Sequence, residues 1–401
     1  MDFTLTPQQL ELQRIARDFA NHDIRPLARR LDRVADPVAT YPVELVRKSS
    51  ELGLRTLKIP VEYGGLGADC MTEVVVLEEL CAGDIGFGMT LQHDWREGEI
   101  LARYTTGEQR ARFLPEFLAD PTYVTSYAIT EPDSGSDNSL PYEATLAAGP
   151  KTTAELRGDS WVINGRKVFV SNGNVAKMVI LWARTDPTVP WTRGISGFLV
   201  PTDTVGFRAG RVEDKLGIRL NQNVELIFDD CRIPRENLLG ELNKGRQLMR
   251  KAGAGAKAKE GAKALGPARA VYEELVAWTR RRSIGGRPMV GEQLVQTVVS
   301  DMRIEIEMAR TLTWRAAWAV DNGSPDADAL EDMVKVGVSA AAVRVVTDAL
   351  EVLGAHAALR DNPIEKLLRD SLGMLHAGSG NDVARLHLAG LLKAEGLTMD
   401  D

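Results

Sequence analysis

The chain has 401 residues, of which 44% are hydrophobic and 26% are charged, and its formal net charge is -7 at pH 7. This length exceeds what one ordinary hydrophobic core encloses, so it predicts two or three domains. The acidic balance argues against nucleic acid as the main partner, because phosphate binding needs concentrated positive charge.

Cysteine usage and hydropathy indicate the compartment. Cys70, Cys81 and Cys231 form no metal-spaced cluster, so we expect reduced thiols and no metal site. The N-terminal segment lacks the regions of a signal peptide, and no apolar run approaches the roughly 20 residues that span a bilayer. The sequence therefore predicts a cytoplasmic protein without membrane insertion.

The first region, residues 1–125, has the pattern of a helical domain. Thr6 and Pro7 are typical of a helix cap and a first helical turn. The apolar residues that follow are predicted to share one face: Leu10, Ile15, Phe19 and Ile24. A Gly-rich loop interrupts the helices before residue 70.

The second region, residues 126–238, has the pattern of a β domain. Short runs rich in β-branched and aromatic residues alternate with proline-containing loops. The Asn164-Gly165 pair lies between two such runs and predicts a β-hairpin.

The third region, residues 239–401, is predicted to be helical again. Its long amphipathic segments, beginning with the Ala-rich stretch from Gln247 to Arg282, favour a four-helix bundle. The order of helices, strands and helices makes the fold class α+β. A bundle this rich in Ala and Gly is expected to pack against another copy of itself.

The most informative segment runs from Tyr127 to Asp137 and reads YAITEPDSGSD. Its hydroxyl and glycine residues suit close approach to an anionic or polar ligand, which backbone N–H groups and hydroxyls bind. From composition alone, an ordinary polar loop is the more frequent explanation. The segment, however, resembles the Y-x-x-T-E-P-x-x-G-S-D signature of acyl-CoA dehydrogenases.

The resemblance extends along nearly the whole chain. The stretch 161–173 is similar to the β-domain motif of this family, and Arg282, Pro288 and Gln293 match a spaced motif in its C-terminal region. His376 to Ser379 lie where the family usually has Tyr-Glu-Gly-Thr, once a one-residue gap is allowed.

The resemblance implies FAD as cofactor and a role for several residues. Thr130 would bind the pyrimidine edge of the isoalloxazine ring, Ser171 would lie near flavin N5, and Phe169 would pack on the ring. The remaining implied contacts are Tyr127, Ile129 and Ser136 along the flavin and its phosphates, Arg282 and Gln293 toward the FAD of a neighbouring subunit, and Ser379 and Asn381 on the adenine side.

The chemistry of this family removes an α-proton from an acyl-CoA thioester while hydride leaves the β-carbon for flavin N5. A carboxylate base and donors to the developing enolate oxygen assist this step. The family usually carries a glutamate at the position of Ala377, and some members carry it instead at the position of Ala256. Both positions lack a carboxylate here, although the Ala377 N–H can still donate to the thioester oxygen.

Three side chains are candidates for a relocated base. Asp94 is the first choice, Glu260 lies one helical turn beyond Ala256, and His376 adjoins Ala377. Each also has a plain explanation, as a surface charge near Arg96, a partner of nearby lysines, or a loop histidine. A protein without a classical base is the fourth possibility.

The leading hypothesis is an FAD-dependent acyl-CoA dehydrogenase, an oxidoreductase with a relocated base for a cyclic or unusual acyl group. The alternatives are a flavoenzyme of the same fold that catalyses elimination, reduction or oxygenation, and a non-catalytic partner subunit. The resemblance also implies an electron-transfer flavoprotein as electron acceptor and assembly as a homotetramer or homodimer.

Overall fold

A computed structural model describes residues 3–140 and 145–394. Helices form the first and last parts of the chain, and strands form the middle. The helices are α1 (Pro7–Phe19), α2 (Arg25–Leu31), α3 (Val43–Glu51), α4 (Cys70–Gly83), α5 (Ile85–Arg103), α6 (Gly107–Ala119), α7 (Trp191–Gly194), α8 (Gly245–Ala252), α9 (Ala256–Arg281), α10 (Gln293–Asp321), α11 (Ala327–Leu353), α12 (Pro363–Gly373) and α13 (Asn381–Ala394). The predicted α+β organisation is confirmed.

The strands of the middle region form one hydrogen-bonded sheet. They are β1 (Thr125–Ala128), β2 (Thr153–Arg157), β3 (Ser160–Ser171), β4 (Met178–Arg184), β5 (Ile195–Pro201), β6 (Phe207–Val212), β7 (Asn223–Pro234) and β8 (Leu238–Leu239). The order is β6-β7-β3-β2-β4-β5-β8, and β1 pairs in parallel with β4. A separate hairpin, β9 (Ser283–Ile284) and β10 (Arg287–Pro288), follows α9.

The helical core is centred on α4, which is buried along its whole length. It packs against α1 on one side and against α9 and α10 on the other, while α9, α10 and α11 pack together. The N-terminal helices and the C-terminal bundle therefore share one core. None of the helices in the described ranges combines the length and the apolar composition needed to cross a bilayer.

The first helix begins as predicted, and of the four apolar residues predicted to share one face Leu10 alone is exposed. Thr6 and Gln9 form a reciprocal capping box, with Pro7 in the first turn. Leu12 and Phe19 are buried, whereas Leu10 is 52% exposed, so the prediction for Leu10 is wrong. The π-helical turn Ala20–Ile24 changes the helical phase before Ile24, which is buried.

The hairpin predicted at Asn164-Gly165 is wrong. β3 continues straight through this pair, and its register against β7 shifts between Ile163 and Gly165. A Cβ on Gly165 would lie 2.5 Å from Thr152 Oγ1, so the glycine permits a close approach inside a bulged strand. The β2–β3 hairpin instead turns at Gly158, whose φ is +63°.

The Ala-rich helical segment from Gln247 is also divided. α8 ends at Ala252, and α9 begins after Gly255, whose φ is +74°. A Cβ on Gly255 would lie 2.6 Å from Cys70 Sγ, so only glycine fits between α9 and α4 at this point. The break sets the start of α9, which carries Glu260.

Candidate active site

The signature loop, which follows β1 and carries the Thr130-Glu131-Pro132 motif, is held against β3 by hydrogen bonds. The buried Lys167 ammonium donates to Ile129 O at 3.0 Å and to Glu131 Oε1 at 2.8 Å. Val168 N donates to Thr130 O at 2.9 Å. Burial lowers the pKa of Lys167 to about 8, although Glu131 opposes the shift. These contacts fix the loop backbone and leave the Thr130 side chain partly exposed.

β3 presents an unusual aromatic side chain beside this loop. Phe169 has a φ of +55° at a second register shift, between Lys167 and Val170, and it is 61% exposed. Left-handed backbone at a bulky residue costs about 1–3 kcal/mol and is found mainly at functional sites. Two residues further along, Ser171 Oγ donates to Asn221 Oδ1 at 2.9 Å and is partly exposed.

The loop after α12 borders the space between α9, β3 and the signature loop, which is called the cleft below. A Cβ on Gly378 would lie 3.4 Å from Glu260 Oε1, and a Cβ on Gly380 would lie 3.9 Å from Ser136 Oγ. The loop therefore reaches from α9 to the signature loop. The Ala377 N–H donates to Gly373 O at 3.0 Å.

The Glu260 carboxylate is hydrogen-bonded to one lysine, Lys263, and lies near a second, Lys335. Lys263, which is almost fully buried, donates from Nζ to Glu260 Oε1 at 2.6 Å, while Glu260 Oε2 is buried without a hydrogen-bond partner. Burial alone would raise the pKa of Glu260, but the charges of Lys263 and Lys335 outweigh it and lower the pKa. Glu260 is therefore an ionised carboxylate with one oxygen that forms no hydrogen bond.

Helix α5 places charged and polar groups opposite Glu260. The Arg96 guanidinium lies 4.0 Å from the centre of the Tyr127 ring and is paired with the buried Glu97. One turn earlier, Gln92 Oε1 accepts from Lys263 Nζ at 3.3 Å. The cleft thus has Tyr127 on the β-domain side, Arg96 on one helix and Glu260 on another.

Three models of one protein family match consecutive parts of the chain. They are the N-terminal, middle and C-terminal domains of acyl-CoA dehydrogenase, which match residues 6–120, 126–231 and 243–390. The chain belongs to the acyl-CoA dehydrogenase family. The predicted family and the α+β fold are therefore confirmed, and so is the assignment as an acyl-CoA dehydrogenase, which is an oxidoreductase.

Relatives match this dehydrogenase over its whole length. The short-chain specific acyl-CoA dehydrogenase of Clostridium acetobutylicum is 32% identical over 97% of this chain and 99% of the relative. The structure of butyryl-CoA dehydrogenase from Megasphaera elsdenii is 29% identical, with a TM-score of 0.89 over 98% of this chain and 100% of the other. The structure of PigA with FAD and proline is 25% identical, with a TM-score of 0.87 over 99% and 100% of the two chains. These matches do not favour the two alternative hypotheses.

In this dehydrogenase, Asp94 lies on a different face of α5 from Arg96. A helix turns about 100° per residue, so the two side chains point about 160° apart. Asp94 Oδ1 accepts from Thr125 N at 3.1 Å and from Thr125 Oγ1 at 3.2 Å, and Oδ2 is buried without a partner. Burial raises the pKa of Asp94 to about 7, while the Arg55 charge opposes the shift. These contacts lie at the start of β1 and not beside the Ala377 loop.

The other predicted positions fall into two groups. Ser379 and Asn381 lie at the loop after α12, where Asn381 Nδ2 donates to Ser339 Oγ at 2.9 Å, and the adjacent His376 is exposed. Arg282 and Gln293 are exposed at the two ends of the β9–β10 segment, away from the cleft of their own subunit. Their predicted contact with a neighbouring FAD remains a prediction.

The sequence analysis did not place Gln92, Arg96 and Lys263 together near Glu260 and Tyr127, where the structure has them. Gln92 and Arg96 are four residues apart and therefore share one helix face, which was a usable signal. Lys263 was recognised only as a charge near Glu260. That α5 and α9 face each other is a tertiary property, and no local pattern carries it.

Proposed function

We propose that this protein oxidises an acyl-CoA thioester by FAD-dependent α,β-dehydrogenation, with Glu260 as the base. The observation that carries the proposal is the position of the Glu260 carboxylate beside Gly378, next to the residue where the family usually has its glutamate. One oxygen of this carboxylate is held by Lys263, and the other has no partner.

The cleft residues fit a flavin. Phe169 is an exposed aromatic side chain in left-handed backbone, and Thr130 and Ser171 are partly exposed residues of the adjoining loop and strand. Stacking on Phe169 would cover the exposed ring, and the hydroxyls would bind the flavin edge. When bound, the flavin supplies the acceptor for the hydride that leaves the β-carbon.

The protein side of the reaction is a proton transfer. Glu260 Oε2, which has no hydrogen-bond partner, would take the α-proton, and Lys263 holds the other oxygen so that the carboxylate keeps one orientation. The Ala377 N–H currently binds Gly373 O, so it must be released or shared to donate to the thioester oxygen.

Anaerobic titration tests the function directly. The purified protein with FAD is expected to lose its oxidised flavin absorbance when a suitable acyl-CoA is added. An FAD-loaded protein that stays oxidised with every saturated acyl-CoA of a broad panel would contradict the dehydrogenation.

Lys263→Met is expected to move the acidic limb of the kcat/KM profile to higher pH. Lys263 lowers the pKa of Glu260, so removing its charge raises that pKa, and a higher pH is then needed to ionise the base. Lys257→Met is the matched control, because Lys257 lies on the same helix but pairs with Asp332. The same profile for both variants would contradict the role of Lys263.

Phe169→Gly is expected to weaken FAD binding about two- to tenfold, since an aromatic contact contributes about 0.5–1.5 kcal/mol. The apoprotein should not lose stability and should gain up to about 1 kcal/mol, because glycine adopts a φ of +55° without strain. Fluorescence titration with FAD and urea unfolding of the apoprotein measure the two effects. Phe169→Leu keeps the strain and loses the ring, so FAD affinity unchanged in both variants would contradict the stacking.

The exposed surface of α10 bears on how the protein assembles. Exposed apolar side chains on α10, among them Leu294 and Met308, support a homotetramer, with a homodimer as the smaller alternative. Light scattering after size exclusion decides between them.

An electron-transfer flavoprotein is the proposed electron acceptor. Reoxidation of the substrate-reduced flavin by such a protein tests it. The buried, unbridged Cys70, Cys81 and Cys231 support a reducing compartment such as the cytoplasm.

A further inference from the structure

The acyl end of the cleft is lined by charge. Arg96 keeps 23% of its side chain exposed while its guanidinium lies against Tyr127, and its charge interacts with that of Glu260. An acyl group whose α-carbon reaches Glu260 therefore lies within the surroundings of Arg96. Arg96 lies one helical turn after Gln92, whose side chain accepts a hydrogen bond from Lys263 of α9.

The charges around this part of the cleft do not cancel. Arg96, Lys263 and Lys335 are cationic, whereas Glu97 and Glu260 are anionic, which leaves one positive charge in excess. Lys335 Nζ donates to Met374 O at 2.7 Å and so stays fixed behind the loop.

A neighbouring histidine, His93, adds no charge to this part of the cleft. Burial lowers the pKa of His93 well below its ordinary range, and the charges of Arg96, Lys263 and Lys215 lower it further. His93 is therefore neutral and does not add to the charge.

An unsubstituted alkyl chain gains little in such a cleft. It would remove water from the guanidinium and ammonium groups and offer them no hydrogen bond in return. A carboxylate would instead form charge-assisted hydrogen bonds with the planar guanidinium, which suits that geometry.

We infer that this dehydrogenase acts on a short acyl-CoA whose acyl group carries a carboxylate, and that Arg96 is the residue that selects it. The inference rests on the proposed function and adds the substrate class to it. Glu97, which pairs with Arg96 through a fully buried side chain, keeps the guanidinium oriented toward the Tyr127 ring in the absence of substrate.

Matched thioesters test the inference on the FAD-loaded protein. Glutaryl-CoA and pentanoyl-CoA have the same length and differ in a terminal carboxylate against a methyl group, as do succinyl-CoA and butyryl-CoA. The carboxylated member of each pair is expected to reduce the flavin anaerobically with at least about tenfold higher kcat/KM, the value of one hydrogen bond to a charged group.

Two variants of α5 complete the test. Arg96→Gln should abolish the preference, and Arg96→Lys should retain part of it. Arg103→Gln, on the exposed side of the same helix, should leave it unchanged. Equal or better reduction by the alkyl thioesters, or a preference that survives in Arg96→Gln, would overturn the inference. Reduction by no thioester of either kind would instead refute the proposed function.

Discussion

Glu260→Gln is expected to lower the rate of substrate-dependent flavin reduction by at least about 100-fold, the low end for removal of a general base. Glutamine has the shape of glutamate and can still accept from Lys263, so the cleft should keep its geometry and its FAD. The amide oxygen cannot take up the α-proton at neutral pH. Stopped-flow reduction under anaerobic conditions measures the rate, and the flavin-to-protein absorbance ratio checks the cofactor.

Asp94→Asn is the matched comparison. Burial raises the pKa of Asp94 to about 7, so a substantial fraction of the side chain is protonated near that pH, and asparagine imitates the protonated form. The asparagine oxygen can also accept from Thr125 as the carboxylate does. We therefore expect a small effect on the rate. A loss of about 100-fold in Asp94→Asn with near-normal turnover in Glu260→Gln would move the base to Asp94.

Lys366→Met is expected to lower the free energy of unfolding by about 3–5 kcal/mol, the usual cost of breaking a buried ion network from one side. Lys366 Nζ lies 2.6 Å from Asp84 Oδ2 and 2.5 Å from Asp370 Oδ2, and both carboxylates are buried. Without the ammonium, two carboxylates face each other in the protein interior. Equilibrium unfolding in urea measures the loss.

The network also stabilises the backbone, because each carboxylate accepts a hydrogen bond from a backbone N–H group. Asp84 Oδ1 caps α5 by accepting from Phe87 N at 2.8 Å, and Asp370 Oδ1 accepts from Ile218 N at 2.6 Å. Lys48→Met is the control, since its pair with Asp23 is exposed, and such pairs contribute about 0–1 kcal/mol. Losses of similar size in the two variants would show that the buried network contributes no more than an exposed pair.

The sequence predicted the parts of this protein that depend on local patterns. The Thr6 capping box, the long helices and the strand-rich middle are specified by residues close together in the chain. The prediction at Asn164-Gly165 was wrong because this dipeptide occurs both in tight turns and in bulges. The close approach of Thr152 to Gly165, which only the fold brings about, favours the bulge.

The candidate base, too, could be predicted only in part from the sequence. The motif located the loop, and the sequence shows alanine at Ala256 and Ala377, the two positions where the family resemblance implies a glutamate. Choosing between Asp94 and Glu260 required knowing which helix face meets the cleft, and this depends on how α5 and α9 pack. The start of α9 is itself set by the contact of Gly255 with Cys70, far away in sequence.

The ion network of Lys366 also bears on how the protein is made. Asp84 and Lys366 are separated by 282 positions, so the ribosome must add most of the chain before the ammonium can meet its first carboxylate. A nascent chain that has released only the N-terminal helices and the sheet holds Asp84 and the α5 cap without their counter-charge. The earliest-made part of this protein therefore reaches its final stability only after the last helices emerge, and cutting the gene between its regions would leave both halves incomplete.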